Sequence, residues 1–395
     1  AYAYALKNAV AHKGDANAQK VLQALFNEGL EKSYVKEVMP KIQDVVKKVN
    51  SLSLKEKEKE FEKVKDTIQK RSEREGLPEI PNTKNGVTMR FSPSPSGALH
   101  IGHAITALLN YLYVKKYSGT FYTRIEDTNP DGILENGYDL IKDDINWLTK
   151  NNTKIIIQSD RMDLYYKYLE KLFSKEAVYV CECDPENFKK LIDEKKACPC
   201  RSLDKKVQKE RWKKMLDSNG YKSGEVVIRF KSDLSHKNPA LRDFTLARIN
   251  TNLHPRQKNK YRVWPLMNLA VTVDDIELKM THIVRGNDHR TNSERQKLIY
   301  EVLGYEKNFP WVEFIGRYNF IGLELSSTKI SQGIKEGKYS GWDDKKLPTL
   351  QSLKKQGYTP EAFYKFVEHI GISPVDKTMK KEDFYKNLDL FNKKG

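Results

Sequence analysis

Residues 89–109 read MRFSPSPSGALHIGHAITALL, and the fold turns on this stretch. Just upstream, Gly86–Phe91 is short, β-branched and apolar enough to be a buried strand. Ser92-Pro-Ser-Pro-Ser-Gly97 can be neither helix nor strand, because two prolines lack backbone donors and Gly97 frees the chain. From His100 onward, Ile101, Ala104, Ile105, Leu108 and Leu109 recur at helical spacing. A strand, a tight turn and a helix N-terminus make an anion site, with unpaired backbone N–H groups and the positive end of the helix dipole. His100 and His103 stand at its mouth with imidazoles able to donate to phosphate. Gly102 leaves room for a flat ring against the backbone.

Working outward, Gly119–Thr128 reads as a second buried strand ending in charge, Glu135–Leu148 as an amphipathic helix, and Ile155–Ile157 as a third strand. A helix over Met162–Phe173 follows. Strand–helix–strand at this spacing predicts a βαβ unit, whose ligands gather at the carboxyl ends of the strands, where Arg124, Glu126 and Asp127 lie.

The literal His100-Ile-Gly-His103, preceded by Arg90-Phe-Ser-Pro-Ser94-Pro-Ser-Gly97, resembles the signature of class I aminoacyl-tRNA synthetases of the glutamyl/glutaminyl branch. Arg124-Ile-Glu126-Asp127-Thr128 resembles that branch's RIEDT motif, which implies that Glu126 holds an amino acid's ammonium. Leu241-Arg-Asp243-Phe, Trp264-Pro-Leu-Met-Asn268 and Thr281-His-Ile-Val-Arg285-Gly-Asn-Asp-His289 resemble further family segments. The second of these departs at Met267, where relatives often carry a tyrosine facing the amino acid. Glu324-Leu-Ser326-Ser-Thr-Lys329 stands where the family has K-M-S-K-S, with its lysine one place beyond the motif.

The resemblance implies an α/β fold: a Rossmann-like parallel sheet split by an α+β insertion, flanked by helical modules. The expected division is 1–85 (N-terminal helices), 86–174 and 259–338 (the two halves of the catalytic domain), 175–258 (acceptor-stem insertion) and 339–395 (start of a helical stem-contact module). ATP is expected against Ser94, Gly97, His100, Gly102, His103, Ser326 and Lys329, with Mg²⁺, and His100, His103 and Lys329 bearing the charge of the transferring phosphate. L-Glutamate is expected on Arg90, Ser92, Ser94, Glu126 and Arg285. The two arginines suit its carboxylates, since a planar guanidinium binds carboxylate through two bonds and stays charged when partly buried.

Cys181-x-Cys183, fourteen residues, then Cys198-x-Cys200 places all four cysteines within twenty residues. Four thiolates satisfy a structural Zn²⁺ and leave no open position for catalysis. The other reading is four ordinary reduced thiols. Either one excludes a secreted disulfide scaffold and suits a reducing, cytoplasmic setting.

Lys+Arg number 70 against 53 Asp+Glu, a net charge of +17. That excess suits a polyanion such as tRNA(Glu), or tRNA(Gln), or else simply a lysine-rich soluble protein. No apolar run is long enough for a membrane span.

Residues 1 to about 80 carry helical periodicity at Val21, Leu22, Leu25, Phe26 and Leu30 and again at Val35, Val38 and Met39, which Pro40 is expected to interrupt. Ser53–Glu56 reads as a capping box opening a charged helix that runs to Gly76. This N-terminal extension resembles the archaeal and eukaryotic type of glutamyl-tRNA synthetase and is a candidate for binding other proteins. Full-length relatives continue past the helical module into anticodon-binding β-barrels, so either a fragment or a shortened paralogue is expected; a monomer is expected. Competing readings are a glutamyl-transferring paralogue that modifies a tRNA base, and a non-catalytic tRNA-binding scaffold.

Overall fold

The computed structural model describes residues 1–12, 14–68 and 76–393. It contains two compact units, Ala1–Arg74 and Glu75–Gly395.

The first unit is helical: Tyr2–Ala11, Ala18–Asn27, Val35–Asn50 and Leu54–Val64 close over Ala5, Leu6, Ala9, Val21, Leu22, Ile42 and Val49. Asn17 caps the second helix, and Ser53 with Glu56 forms the expected capping box on the fourth. Pro40 does not interrupt the third helix, contrary to expectation. It removes one donor to the carbonyl of Lys36, but both residues face water, and the apolar face through Ile42 and Val49 holds the helix together. The fourth helix also stops sooner than its composition suggested. After a 3₁₀ turn at Lys65–Thr67, Ile68 turns extended and buries its side chain. The remainder of that predicted helix, 69–75, lies outside the described residues. The expected boundary at 85 moves to 74, because Leu77 and Ile80 join the core of the second unit.

In the second unit, β1 (Thr88–Phe91), β2 (Thr120–Ile125) and β3 (Lys154–Ile157) run parallel in that order. The helix Ile101–Lys116 crosses between the first two, buried almost all round. Close passage of β1 by the turn into β2 demands Gly119, where a Cβ would lie 2.0 Å from the Val87 carbonyl oxygen. The chain then leaves this sheet for an antiparallel one: β4 (Val178–Cys181), β5 (Val227–Phe230), β6 (Thr245–Ile249) and β7 (Val263–Pro265). It returns with a parallel pair, β8 (His282–Gly286) and β9 (Trp311–Ile315). β8 lies beside β1, since Thr281 N–H donates to the Thr88 carbonyl at 3.0 Å and Asn110 clamps the backbone of Val284 in both directions. A split α/β sheet is therefore present as expected.

Pairing and packing cross three of the expected divisions. The antiparallel sheet extends to Pro265 instead of ending at 258, because β7 pairs with β6. The helix Met162–Ser174 packs in the same core as that sheet, together with the helices Met267–Glu277 and Arg290–Leu303. Finally, β10 (Tyr318–Ile321) pairs in parallel with β11 (Lys377–Lys380), so the lysine loop and the C-terminal helices share one structure across the expected break at 338. Within 339–395, expected as the start of a helical module, helix begins only at Leu350, after Pro348. Among the described residues no helix is long and apolar enough to cross a membrane.

Candidate functional site

At the carboxyl ends of β1, β2 and β8 a cleft of about 860 Å³ opens, lined among others by Arg90, Ser92, His100, Gly102, His103, Glu126, Met267 and Arg285. The cleft gathers most of the residues expected from sequence. It does not gather all of them. Ser94 is exposed on the proline turn. Gly97 lies beneath an indole, where a Cβ would sit 2.3 Å from the Trp342 ring. Ser326 caps the helix Ser327–Lys335 through a bond from Lys329 N–H. The Lys329 side chain is 73% exposed and lies 3.5 Å from Glu324, outside the residues lining the cleft.

The helix N-terminus differs from the expected anion site in one respect. Its first backbone N–H groups are all engaged: Ile101 donates to the Pro348 carbonyl, Gly102 and His103 to His100 Nδ1, and Ala104 to the His100 carbonyl. His100 is thus its own helix's cap, and His103 Nδ1 accepts from His100 N–H in return. An Nδ1 that accepts must be bare, so each neutral ring carries its proton on Nε2. The donors available for a phosphate are consequently the two Nε2–H groups, and the backbone amides serve to fix the tautomer. The rings stack at 3.7 Å. Burial pushes both pKa values down, that of His103 to about 4, and water reaching the partly open rings moderates the effect. Gly102 does make room for a flat ring, but that ring is the His100 imidazole, 3.0 Å from where a Cβ would be.

The signature turn is also tied from behind. Leu99 N–H donates to Asp144 at 2.8 Å, Asp144 accepts from Gln351 at 2.7 Å, and Leu350 N–H donates to the Leu99 carbonyl. Desolvation lifts Asp144 to about 7.

The arginines are held in two different ways. Arg90 grips Asp275 with two bonds, Nε at 2.8 Å and Nη2 at 3.0 Å, and Arg124 adds a third to the same carboxylate at 2.6 Å. Burial would raise the Asp275 pKa, but the two cations outweigh it and the net direction is down. Arg124 also holds Glu126 at 2.9 Å, and both arginines donate to Ser92 Oγ. Arg285 has no carboxylate partner among the described residues: its Nη1 donates to Gln296 and Ser293, and its Nε is buried without a partner. Desolvation first, then repulsion from Arg90, lowers its pKa to about 9, so it is still a cation at neutral pH. The roles of Arg124, Asp275, Asp144 and Gln296 were not anticipated from sequence. A signal existed for Asp274-Asp275, two carboxylates at the end of the apolar run Leu269–Val273, which only buried cations can tolerate.

Elsewhere, the four cysteine sulfurs lie within 4.8 Å of one another, Cys181–Cys198 at 3.9 Å and Cys183–Cys200 at 3.8 Å. A tetrahedron with Zn–S bonds of about 2.3 Å has edges of about 3.8 Å, so this donor set fits one. Gln208 braces it, accepting from Val180 N–H and donating to the Cys200 carbonyl, and Glu182 N–H donates to Cys200 Sγ.

Residues 86–394 match the family model described as tRNA synthetases class I (E and Q), catalytic domain. The chain is 44% identical to the glutamate–tRNA ligase of Methanocaldococcus jannaschii, covering 98% of this chain and 70% of that one. It is 42% identical to that of Pyrococcus furiosus, covering 99% and 69%. A crystal structure of a glutamate tRNA ligase from Elizabethkingia meningosepticum, in complex with its amino acid, superposes with a TM-score of 0.55 at 22% identity, over 78% of this chain and 69% of that one, a likeness of fold. Signature, split sheet and relatives agree: the chain belongs to the class I tRNA synthetases of the E and Q group, in the branch of the archaeal glutamate–tRNA ligases.

Proposed function

We infer that this chain joins L-glutamate to tRNA(Glu) at the expense of ATP, through a glutamyl-adenylate. One observation carries the reading: a single cleft sets the paired Nε2–H donors of His100 and His103 beside Arg90, Arg285 and Glu126. Glutamate has two carboxylates and an ammonium, and the cleft presents Arg285 without a carboxylate partner among the described residues, Arg90 shared with Asp275, and the Glu126 carboxylate shared with Arg124. A neutral amide in place of the side-chain carboxylate would leave a buried cation unpaired.

The α-carboxylate attacks the α-phosphate of ATP, pyrophosphate leaves, and a terminal ribose hydroxyl of tRNA then takes the acyl group. Developing charge on the phosphates is met by the imidazole donors, by Lys329 once its loop closes, and by the Mg²⁺ that accompanies ATP in this family. No covalent enzyme intermediate is needed; positioning supplies the rest of the rate. Ser94, Gly97 and Ser326 act in this reading as supports of the turn and the loop. The cysteine tetrad would hold Zn²⁺, which orders the insertion that receives the acceptor end. The N-terminal helices offer a surface for protein partners.

The test is ATP–pyrophosphate exchange in the presence of tRNA, with metal content measured on the same sample. Glutamate-dependent exchange and label on the 3′ ribose are expected, with about one zinc per chain. Absence of exchange would leave a scaffold; label on a tRNA base would mark a modifying enzyme. Charging of purified tRNA(Gln) decides whether the chain serves both tRNAs.

A further inference from the structure

The three arginines of the cleft divide by what holds them. Arg90 and Arg124 converge on Asp275, so part of their charge is spent inside the protein. Arg285 is held only by neutral groups. Its Nη1 donates to Gln296 Oε1 at 2.9 Å and to Ser293 Oγ at 3.2 Å. Gln296 Nε2 in turn donates to Asn268 Oδ1 at 3.4 Å. All four residues are nearly sealed from water: Arg285 is 7% exposed, Gln296 3%, Ser293 6% and Asn268 6%. A guanidinium has only donors, so it fixes which end of the Gln296 amide faces it.

Burying a cation beside neutral acceptors is costly, and a carboxylate at position 296 would relieve that cost. It would also cancel the charge the substrate needs. We propose that Gln296 is a specificity-positioning residue: it aims Arg285 into the cleft through a neutral bond, so that the full charge of the guanidinium is kept for a substrate carboxylate. This rests on the glutamate reading above and names how that site keeps its preference for an anion. Gln296 does not touch substrate; it acts through Arg285.

The decisive variant is Gln296→Glu, which has the same shape and still accepts from Arg285, while Asn268 can turn its amide to donate to the new carboxylate. Exchange is measured for wild type and variant against glutamate and against glutamine, with tRNA present. KM for glutamate is expected to rise by about tenfold or more, with kcat falling much less, because one close countercharge now competes with the ligand. The ratio of kcat/KM for glutamine to that for glutamate should rise by a similar factor. A purely structural Gln296 would change stability without moving either ratio. Gln296→Met covers the case in which the charged variant does not fold. It removes the acceptor and adds no charge, so KM for glutamate should rise with no gain for glutamine. If either folded variant keeps a glutamate KM within about twofold of wild type, the proposal is wrong. Loss of glutamate-dependent exchange in the wild type would instead overturn the functional reading itself.

Discussion

His100 and His103 are stacked, capped and tied to a distant segment, whereas Lys329 stands 73% exposed with one half-buried partner at 3.5 Å. Family resemblance gives all three residues to the same phosphates, yet one half is finished before any ligand arrives and the other is not. The difference follows from local chemistry. The signature helix spends its free N–H groups on its own first residue and on Pro348, which fixes both rings in one tautomer. The lysine sits one turn into a short helix whose cap, Ser326, is itself held by Glu324. On the proposed reading, a rigid donor pair can wait for ATP, whereas a lysine that meets the departing pyrophosphate has to come to it and leave again.

Removing the exposed half gives the largest expected effect. Lys329→Ala should slow adenylate formation by about 10²-fold or more, because a charge aimed only at the transition state is lost. Glutamate KM should change little. Unchanged turnover would mean that the preformed imidazoles suffice and would strike Lys329 from the mechanism.

Acid tests the rigid half. The folded pKa of His103 is depressed from 6.5 to about 4, so between those values the unfolded chain binds the proton more readily. Its contribution to stability is therefore full above pH 6.5 and is lost as pH falls toward 4, by at most about 3 kcal/mol. Asp144, raised to about 7, acts in the opposite sense: its cost grows as pH rises from 3.8 toward 7. The two partly offset in wild type. Comparing urea midpoints of wild type and His103→Gln isolates the first, and the gap between them should close as pH drops from 6.5 to 4. A gap independent of pH would mean that the ring is protonated as freely folded as unfolded.

The turn that positions the rigid half can be strained directly. Gly97 has φ +154°, and a Cβ there would meet the Trp342 ring at 2.3–2.9 Å. Gly97→Ala should destabilise by about 1–3 kcal/mol, since the new methyl would meet the indole, and the Trp342 backbone carbonyl accepts from Thr349 Oγ1 next to Leu350, whose N–H holds the Leu99 carbonyl. Thermal unfolding measures it. No change in midpoint would show that the strap is loose and the two halves less different than they look.

Much of this was legible in the chain and some was not, for identifiable reasons. β1, β2, β3 and the helices that connect them fall where the sequence pattern placed them, because buried segments such as Thr120–Ile125 and Ile101–Lys116 have no other stable environment. The cleft residues were readable because Arg90, His100, His103, Glu126 and Arg285 lie in short, tightly spaced segments. Pairings across the chain were not readable. Nothing near Leu99 announces that Asp144, itself held by Gln351, will take its amide, and nothing near His100 announces that Pro348 will take the amide of Ile101. Pro40 misled because propensity is local while the packing of Ile42 and Val49 is not. The expected free anion site at the helix tip failed for a related reason: the sequence shows a histidine but not its rotamer.

The smallest expected effect concerns the partner of the exposed lysine. Glu324 stands where the family carries the first lysine of its loop, and its carboxylate lies 3.5 Å from Lys329 in a pair open to water. Such pairs are worth about 0.2–1 kcal/mol, so they cannot lock the loop, but they bias where it rests. Glu324→Gln removes the countercharge and keeps an acceptor for Ser326 N–H, which preserves the helix cap. Activation should then rise by no more than about fivefold, with an unmoved melting temperature and a gain that fades as salt screens the pair. A fall in rate would give Glu324 a part of its own in the chemistry. A gain that persists in high salt would show that the loop is restrained by packing, and the contrast between a built half and a loose half would have to be redrawn.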